Sequence, residues 1–534
     1  MKKLVIILVI LLIGCTSSQK IEKPVTQRWD TSGSRYPGIH DPSIFVDEVD
    51  GQKTYYIFGT HITQAKSTNL TNWEVPKRGN GYVSMDNNVI FGNTIENLSE
   101  TFEWAGYNDA DSKNGFNLWA PDVIYNEDYV WKDGTKGAYM YYYSASSTWR
   151  RSAIGFMVST DIEGPYIYGG TVVYSGFTKE DSTDGSDRNT NYVNTHLDEL
   201  IKEGKISGFN DKWSRKNGKE YNTDYAPNAL DPTLIRDKDN VLWMVYGSWS
   251  GGIYLLEMNE ETGFPIYPKE DGQTDDGRHI DRYFGIKLAG GFHQSGEGPY
   301  IVYNQEANAY YLYVTYGGLA AEGGYNMRVF KSDDITGPYV DTRGSRPLFT
   351  ASDRNDNYGA KVMGNYQLDG MSHGYKSPGH NSAFVDDDGQ MYLVFHTRFN
   401  GRGEEFELKI HEVLSNQSGW PVVLPYAYNV DFKQAHTVHT KESIVGTYEM
   451  VNHGTRTESN MLPNLNVTLN EDGSLSGDMS GTWFVEDQFI TIRTEDATYE
   501  GIVTVQQINL TKEKMVISLI GDNNETIYGS KDFN

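Results

Sequence analysis

The chain has few cysteines, a shortage of basic residues and no long apolar runs. Cys15 is the one cysteine among 534 residues, so no disulfide can form within the chain. Lys and Arg number 46 against 72 Asp and Glu, a formal charge of −26 that disfavours a nucleic-acid partner. The apolar run at residues 4–13 is too short to cross a bilayer. Long Leu/Ala runs are also scarce, which argues against a mainly helical protein.

Aromatic residues and glycine are plentiful instead. Aromatics make up 13% of the chain, with 38 Tyr, and there are 55 Gly. Disordered chains are poor in aromatics, so wholesale disorder is excluded. Tyrosine and glycine-rich turns favour β structure, and the length favours one large domain plus a small one.

The N-terminus is typical of an export signal. Two lysines precede the apolar run, and Leu12-Ile13-Gly14-Cys15 resembles a bacterial lipobox, in which the cysteine is lipidated. We therefore predict a lipoprotein signal peptide at 1–14, a lipid anchor at Cys15 and a polar tether at 15–30. This places the protein outside the cell, anchored to the bacterial cell surface or outer membrane. The alternative is a plain secretory signal with a chance cysteine.

One pattern recurs five times between residues 31 and 430: a polar group, an apolar strand, a turn and an aromatic strand. The copies begin near His40-Asp41-Pro42, Trp119-Ala120-Pro121-Asp122, Asn228-Ala229-Leu230-Asp231-Pro232, Glu297-Gly298-Pro299 and Gly379-His380-Asn381. Five units of about four strands predict an all-β fold, a five-bladed β-propeller. The alternative is a β-sandwich with coincidental repetition.

Two segments depart from this repeat. Residues 176–225 are polar and contain a helix-like piece at 195–205, which we interpret as an insertion on one propeller face near the site. Residues 441–534 hold short alternating strands joined by Gly, Asn and Asp turns, which predicts a small antiparallel barrel or sandwich.

The residues at the start of each repeat are candidates for a catalytic site. Inner strands of a propeller begin on a common rim, so we expect Asp41, Asp122, Asp231, Glu297 and His380 to converge. Burying charged groups without partners is costly, so we do not expect four carboxylates and a histidine around one axis to serve only for packing. Like charges this close raise one pKa, which keeps a carboxylic acid protonated for general-acid work. Paired carboxylates with aromatic surfaces suggest glycoside hydrolysis.

These motifs resemble glycoside hydrolase family 43 over about residues 36–428. Within the family the likeness is to two-domain extracellular endo-α-1,5-L-arabinanases, on Asn228-Ala229-Leu230-Asp231-Pro232, Gly247-Ser248-Trp249-Ser250-Gly251-Gly252-Ile253 and Gly419-Trp420-Pro421. The resemblance implies arabinan as the polysaccharide substrate and inversion at the anomeric carbon. It implies a general base at Asp41, a general acid at Glu297, and Asp231 as the carboxylate that modulates the acid's pKa and orients it. Inversion requires the base and acid to stand about 6.5–9.5 Å apart.

The same resemblance supplies the remaining assignments. His380 matches a histidine that faces a metal, usually calcium, on the propeller axis. Asn228, Ser248, Trp249 and Ser250 match positions that line the sugar subsites, together with Asp41 and Asp231. Asp231 could instead brace the propeller, His380 could be a core histidine, and for Asp122 we favour a structural or outer-subsite role.

Two alternatives to endo-arabinanase activity remain open. One is an exo-acting α-L-arabinofuranosidase or β-xylosidase of the same fold. The other is a non-catalytic surface glycan-binding lipoprotein, which the presence of all three carboxylates disfavours.

Overall fold

The computed structural model describes residues 29–77, 88–106, 118–146, 150–431 and 439–533. The predicted signal peptide and Cys15 lie outside these residues, as does most of the tether. Within them, no helix is both long enough and apolar enough to span a bilayer.

The first two sheets are antiparallel and built from consecutive strands. The first has the order β1-β5-β4-β3-β2 and the second β6-β7-β8-β9. Two short helices, α1 (Thr94–Asn97) and α2 (Ser99–Ala105), lie between them in sequence. The strands are β1 (Trp29–Ser34), β2 (Ser43–Val49), β3 (Gln52–Gly59), β4 (Thr63–Ser67), β5 (Trp73–Pro76), β6 (Leu118–Val130), β7 (Lys136–Ser146), β8 (Ser152–Ser159) and β9 (Ile167–Tyr174).

The third sheet is larger. Its path is β12-β13-β14-β18-β17-β16, with β15 paired to β14. Helix α3 (Leu197–Lys202) and the ribbon of β10 (Ser214–Arg215) and β11 (Glu220–Tyr221) precede it. Its strands are β12 (Thr233–Arg236), β13 (Leu242–Tyr246), β14 (Ile253–Met258), β15 (Pro265–Ile266), β16 (Gly272–Gln273), β17 (His279–Asp281) and β18 (Gly285–Ala289).

The fourth and fifth sheets each have four consecutive strands. They are β19 (Glu297–Asn304), β20 (Ala309–Tyr316), β21 (Asn326–Ser332) and β22 (Ala360–Met363), then β23 (Tyr375–Val385), β24 (Met391–Phe399), β25 (Phe406–Ser415) and β26 (Pro421–Val423). The first strands touch one another in cyclic order, β2 with β6, β6 with β12, β12 with β19, β19 with β23 and β23 with β2. The arrangement is therefore propeller-like.

The prediction of a five-bladed propeller is wrong. A blade of four consecutive strands recurs four times, the first copy with β1 added at its outer edge. The third repeat instead forms a seven-stranded sheet, because β18 takes the place beside β14 and continues into β17 and β16. The insertion packs on this sheet through buried Phe177, Trp213 and Tyr221, so it is less polar in its contacts than its composition suggests.

The tyrosine-rich strands fill the spaces between sheets. Side chains alternate faces along a strand. In β7, Met140 and Tyr142 enter a core shared with the third sheet, whereas Tyr141 and Tyr143 enter one shared with the first. Both faces of a blade are buried, which explains why aromatic residues occupy consecutive positions.

A closed barrel follows, as one of the two predicted alternatives. Helix α4 (Lys441–Ile444) leads into β27 (Gly446–Asn452), β28 (Leu465–Leu469), β29 (Ser474–Gly477), β30 (Gly481–Glu486), β31 (Phe489–Arg493), β32 (Thr498–Asn509), β33 (Lys512–Gly521) and β34 (Thr526–Asp532). Pairing of β27 with β34 closes it. Val516, Ile520 and Tyr528 on its outer face share a core with the fourth and fifth sheets, so barrel and propeller are packed together.

Candidate active site

A cleft of about 450 Å³ opens where the first strands of the sheets begin. Asp41, Asp231, Ser248, Glu297 and His380 all line it, although they come from four different sheets. Trp119, Leu319 and Phe406 add apolar walls. The cleft therefore combines carboxylates with aromatic surface, as a sugar site requires.

Asp41 is a buried carboxylate among imidazoles. Its Oδ1 lies 2.8 Å from His40 Nδ1, 3.2 Å from His380 Nδ1 and 3.7 Å from His396 Nδ1. Thr60 Oγ1 donates to Oδ2 at 2.5 Å. Burial alone would raise the pKa of Asp41, but His380, His40 and His396 together hold it well below its usual value. Asp41 therefore stays ionised, as a base must before it accepts a proton.

Glu297 is surrounded by hydrogen-bond donors. Ser248 Oγ and Trp249 Nε1 donate to Oε2 at 3.0 and 2.9 Å, and Tyr325 OH donates to Oε1 at 2.6 Å. Three donors from two sheets fix both oxygens of this carboxylate in the cleft. The hydroxyls of Ser248 and Tyr325 can rotate to accept as well as donate, so they suit a group that gains and loses a proton.

Asp231 lies behind Glu297. Its Oδ2 accepts from the backbone N–H of Gly298 at 3.0 Å, which ties it to the residue after Glu297. Burial, opposed by His380 and reinforced by the charge of Glu297, raises the pKa of Asp231 to about 7. The negative charge of Glu297 therefore acts on Asp231, in addition to the backbone link through Gly298.

His380 stands between the carboxylates. Burial lowers its pKa, but Asp41, Asp231 and Glu297 outweigh burial, and the net shift is upward. A Cβ on Gly298 would lie 2.9 Å from the His380 ring, so glycine allows the ring to lie against this backbone. His396 differs, because burial lowers its pKa well below the usual value. Its Nδ1 accepts from the backbone N–H of Asp41 at 3.3 Å, so the neutral ring carries its proton on Nε2.

The predicted sugar-binding residues divide into two groups. Ser248 lines the cleft, and Trp249 reaches Glu297 through its indole N–H. Ser250 is fully buried, and its backbone N–H donates to His293 Nδ1 at 3.3 Å. Asn228 is 9% exposed, with its Oδ1 accepting from Ser175 Oγ at 3.2 Å. Sugar contacts for these four residues remain predictions.

Asp122 does not join the cleft. Its Oδ1 accepts from Ser43 Oγ, and its Oδ2 accepts from the backbone N–H of Leu234 at 2.6 Å. It therefore ties the first strands of three neighbouring sheets together, in agreement with the structural role that we favoured. Burial raises the pKa of Asp122 to about 7.

The proline, not the carboxylate, marks the equivalent position of the repeat. The residue before proline has a left-handed φ in four sheets, at Asp41 (52°), Ala120 (35°), Asp231 (57°) and Gly298 (57°). His380 has the same conformation at 49°, although asparagine follows it. Aligning the prolines places Ala120, and not Asp122, beside the catalytic candidates. This explains why our convergence prediction fails at Asp122.

Several site residues carry no local sequence signal. Thr60 comes from the end of β3, and Tyr325 comes from the loop before β21. Tyr325 is one of 38 tyrosines, most of which pack between sheets, so its contact with Glu297 could not be singled out. His396 lies in β24, and the structure places its ring against that of His40 with centroids 3.7 Å apart.

An ionised carboxylate and a second carboxylate ringed by donors share this aromatic-walled cleft, an arrangement that suits the chemistry of a glycoside hydrolase. Residues 207–421 match the family described as glycosyl hydrolases family 43, and residues 425–529 match a C-terminal lipocalin-like domain of that family. The chain belongs to glycoside hydrolase family 43.

Its relatives share nearly the whole length. It is 38% identical over 512 residues to extracellular endo-alpha-(1->5)-L-arabinanase 2 of Bacillus subtilis, covering 92% of each chain. It is 36% identical over 498 residues to the extracellular endo-alpha-(1->5)-L-arabinanase of Thermotoga petrophila, covering 90% of each. The crystal structure of endo-1,5-alpha-L-arabinanase from Thermotoga petrophila matches with a TM-score of 0.74 and 34% identity, over 93% of this chain and 99% of that one.

Proposed function

We propose that the protein is an endo-α-1,5-L-arabinanase that cleaves internal bonds of arabinan with inversion. The observation that carries this proposal is the pair of unlike carboxylates, Asp41 among imidazoles and Glu297 among donors, on one cleft. The two-domain relatives named as endo-arabinanases support the choice of substrate.

The reaction follows from these surroundings. Glu297 gives a proton to the glycosidic oxygen as the bond from that oxygen to the anomeric carbon breaks. A water attacks the same carbon from the opposite face, and Asp41 takes the water's proton. Asp231 holds the backbone after Glu297 in place through Gly298.

Endo action is tested by the product profile. On linear arabinan, an endo enzyme first releases a range of oligosaccharides and lowers viscosity early. Release of one short product from the start would favour the exo-acting alternative, and binding without any cleavage would favour a glycan-binding protein. Branched arabinan in parallel shows whether side chains fit the cleft.

We also propose a calcium ion near His380. Asn381 Oδ1 and Nδ2 and Ser382 Oγ, next along β23, are buried and have no hydrogen-bond partner among the described residues. Oxygens of this kind suit calcium, and the three carboxylates make the surroundings negative. His380, Asn381 and Ser382 would hold the ion, which would add positive charge beside the carboxylates. Calcium added after chelator treatment should raise the melting temperature of the wild type but not that of Asn381→Leu.

For localisation we propose export and lipidation at Cys15. The relatives named above are called extracellular, which supports export. The lipobox-like sequence supports the anchor. The full-length protein should partition with membranes and incorporate labelled fatty acid, and Cys15→Ala should do neither.

A further inference from the structure

The barrel reaches over the propeller through one segment, residues 455–460, which follows β27 and which we call the barrel segment. Asn365 Nδ2 lies 3.0, 3.0 and 3.1 Å from the carbonyl oxygens of Glu458, Ser459 and Asn460 and shares its two hydrogens among them. Lys361 Nζ donates to Arg456 O at 2.7 Å, and Arg328 Nη2 donates to Thr455 O. The propeller therefore binds five of the six backbone carbonyls of this segment.

Loss of these hydrogen bonds to the barrel segment should destabilise the protein. Arg328, Lys361 and Asn365 are at most 2% exposed, so their polar groups have little access to water. Buried cations and amides without partners destabilise a fold by several kcal/mol. The barrel segment is therefore a fixed part of the propeller's polar core.

The same segment supports a loop at the cleft. Residues 317–324 connect β20 to Tyr325, and Leu319 in this loop is 48% exposed and lines the cleft. A Cβ on Gly324 would lie 2.9 Å from Glu458 O, so the loop's backbone rests directly on the barrel segment. Asn326 Nδ2 contacts both ends of the loop and the barrel, donating to Tyr316 O, Gly324 O and Thr457 Oγ1 at 3.2, 2.9 and 3.4 Å.

A second chain of contacts runs through Asn365. Its Oδ1 accepts from the backbone N–H of Ser377 at 2.7 Å, and Ser377 Oγ donates to Ala320 O at 2.8 Å. The loop is thus held by the barrel directly at Gly324 and through Asn365 and Ser377 at Ala320. Immediately after Gly324 comes Tyr325, whose hydroxyl donates to Glu297 at 2.6 Å.

We propose that the barrel segment positions Tyr325 against the catalytic acid and fixes the Leu319 wall of the cleft. The barrel then contributes to catalysis by positioning cleft residues, although none of its own residues lines the cleft. The proposal rests on the proposed function for Glu297 as the acid, and it assigns to Asn365 and Gly324 the role of positioning residues.

The test compares two glycines of similar backbone conformation. Gly324 has φ of 69° and Gly454 has φ of 57°, so alanine is strained at either. A Cβ at 454 meets nothing within 4 Å, whereas one at 324 collides with Glu458 O. We expect Gly324→Ala to lower kcat on linear arabinan about tenfold, the value of one charge-assisted hydrogen bond, with a smaller change in KM. Gly454→Ala should keep kcat within about twofold.

The pH profile and a double-mutant cycle separate positioning from general damage. Gly324→Ala and Tyr325→Phe should change the pH profile of kcat/KM in the same way, because both weaken the one hydrogen bond from Tyr325 to Glu297. If the barrel acts through Tyr325, adding Gly324→Ala to Tyr325→Phe should cause little further loss of kcat. Multiplied losses, or equal losses from Gly324→Ala and Gly454→Ala, would overturn the proposal.

Two further measurements test the positioning of Tyr325 if Gly324→Ala does not fold or if arabinan is not cleaved. If Gly324→Ala does not fold, Thr457→Ala at an exposed position should still lower kcat about two- to threefold, the value of a weak hydrogen bond, relative to exposed Thr511→Ala. Amide hydrogen exchange of residues 317–325 needs no substrate. Faster exchange in Gly324→Ala but not in Gly454→Ala supports positioning even if wild-type protein leaves arabinan intact, which would refute the proposed function alone. Unchanged exchange would refute the positioning.

Discussion

The two sides of the cleft hold their carboxylates in opposite ways. Asp41 lies within 3.7 Å of three imidazoles, whereas Glu297 receives hydrogen bonds from a serine, a tryptophan and a tyrosine. The His380 ring, whose pKa is raised by the carboxylates around it, helps to keep Asp41 ionised. Hydroxyls that can both donate and accept tolerate either protonation state. The difference supports the proposed assignment of the base to Asp41 and of the acid to Glu297.

Removing the charge on the base side should have the largest effect. Asp41→Asn keeps the shape but cannot take a proton from water, so we expect kcat to fall about 10³-fold, within the usual range for general-base catalysis. Reducing-end release from arabinan measures it.

Asp47→Asn is the matched control for this change. Asp47 lies on β2, the strand that begins just after Asp41, accepts from Tyr139 OH at 2.7 Å and does not line the cleft. Its variant should keep wild-type kcat. Near-equal rates for the two variants would remove Asp41 from the mechanism.

Removing one of the hydrogen-bond donors to Glu297 should lower the rate less, because three donors hold this carboxylate. Trp249→Phe removes one N–H and keeps an aromatic ring, and we expect kcat/KM to fall about tenfold. Trp243→Phe is its control, since Trp243 Nε1 donates to Asp237 at 2.8 Å on the same sheet outside the cleft. Equal losses would show that the effect of Trp249 is structural.

The smallest effect on catalysis is expected at the carboxylate that lies outside both sides. Asp122 has a pKa raised to about 7 in the folded state against 3.8 in the unfolded state. It therefore adds stability that is complete below pH 3.8 and is lost as pH rises through 7, at most about 4 kcal/mol.

Denaturant unfolding between pH 5 and 8 measures this contribution. The free energy of unfolding should fall more steeply with pH in the wild type than in Asp122→Asn, while kcat stays similar. A parallel pH dependence in the two proteins would contradict the raised pKa.

The sequence allowed prediction of the carboxylates and their order but not of their surroundings. Asp41, Asp231 and Glu297 stand in short motifs beside prolines, so local patterns reveal them. Thr60 and Tyr325 reach the cleft, and His396 reaches Asp41 from behind it, through loop geometry and strand register that no neighbouring residue marks. We predicted Asp122 in the cleft because we aligned the repeats by their carboxylates. The prolines mark the equivalent positions instead, and they align Ala120 with Asp41 and Asp231.

In the fold, too, local patterns predicted the strands but not the pairing of distant strands. Aromatic strands predicted the all-β sheets, and short alternating strands predicted a small C-terminal barrel or sandwich, of which the barrel is observed. The seven-stranded third sheet depends on β18 pairing with β14 across about thirty residues, a long-range choice that local pattern does not encode. The contact of the barrel segment with the loop before Tyr325 is equally non-local, because over 130 residues separate Asn326 from Thr457.

The most direct test of the whole account is the rate of linear arabinan cleavage by Glu297→Gln. The amide keeps the size and can still bind sugar, but it cannot protonate the leaving oxygen. We predict that the wild type lowers viscosity early and that the variant loses 10²- to 10⁴-fold in kcat, about the value of general-acid catalysis, while still binding arabinan. Cleavage by the variant at the wild-type rate would contradict the account.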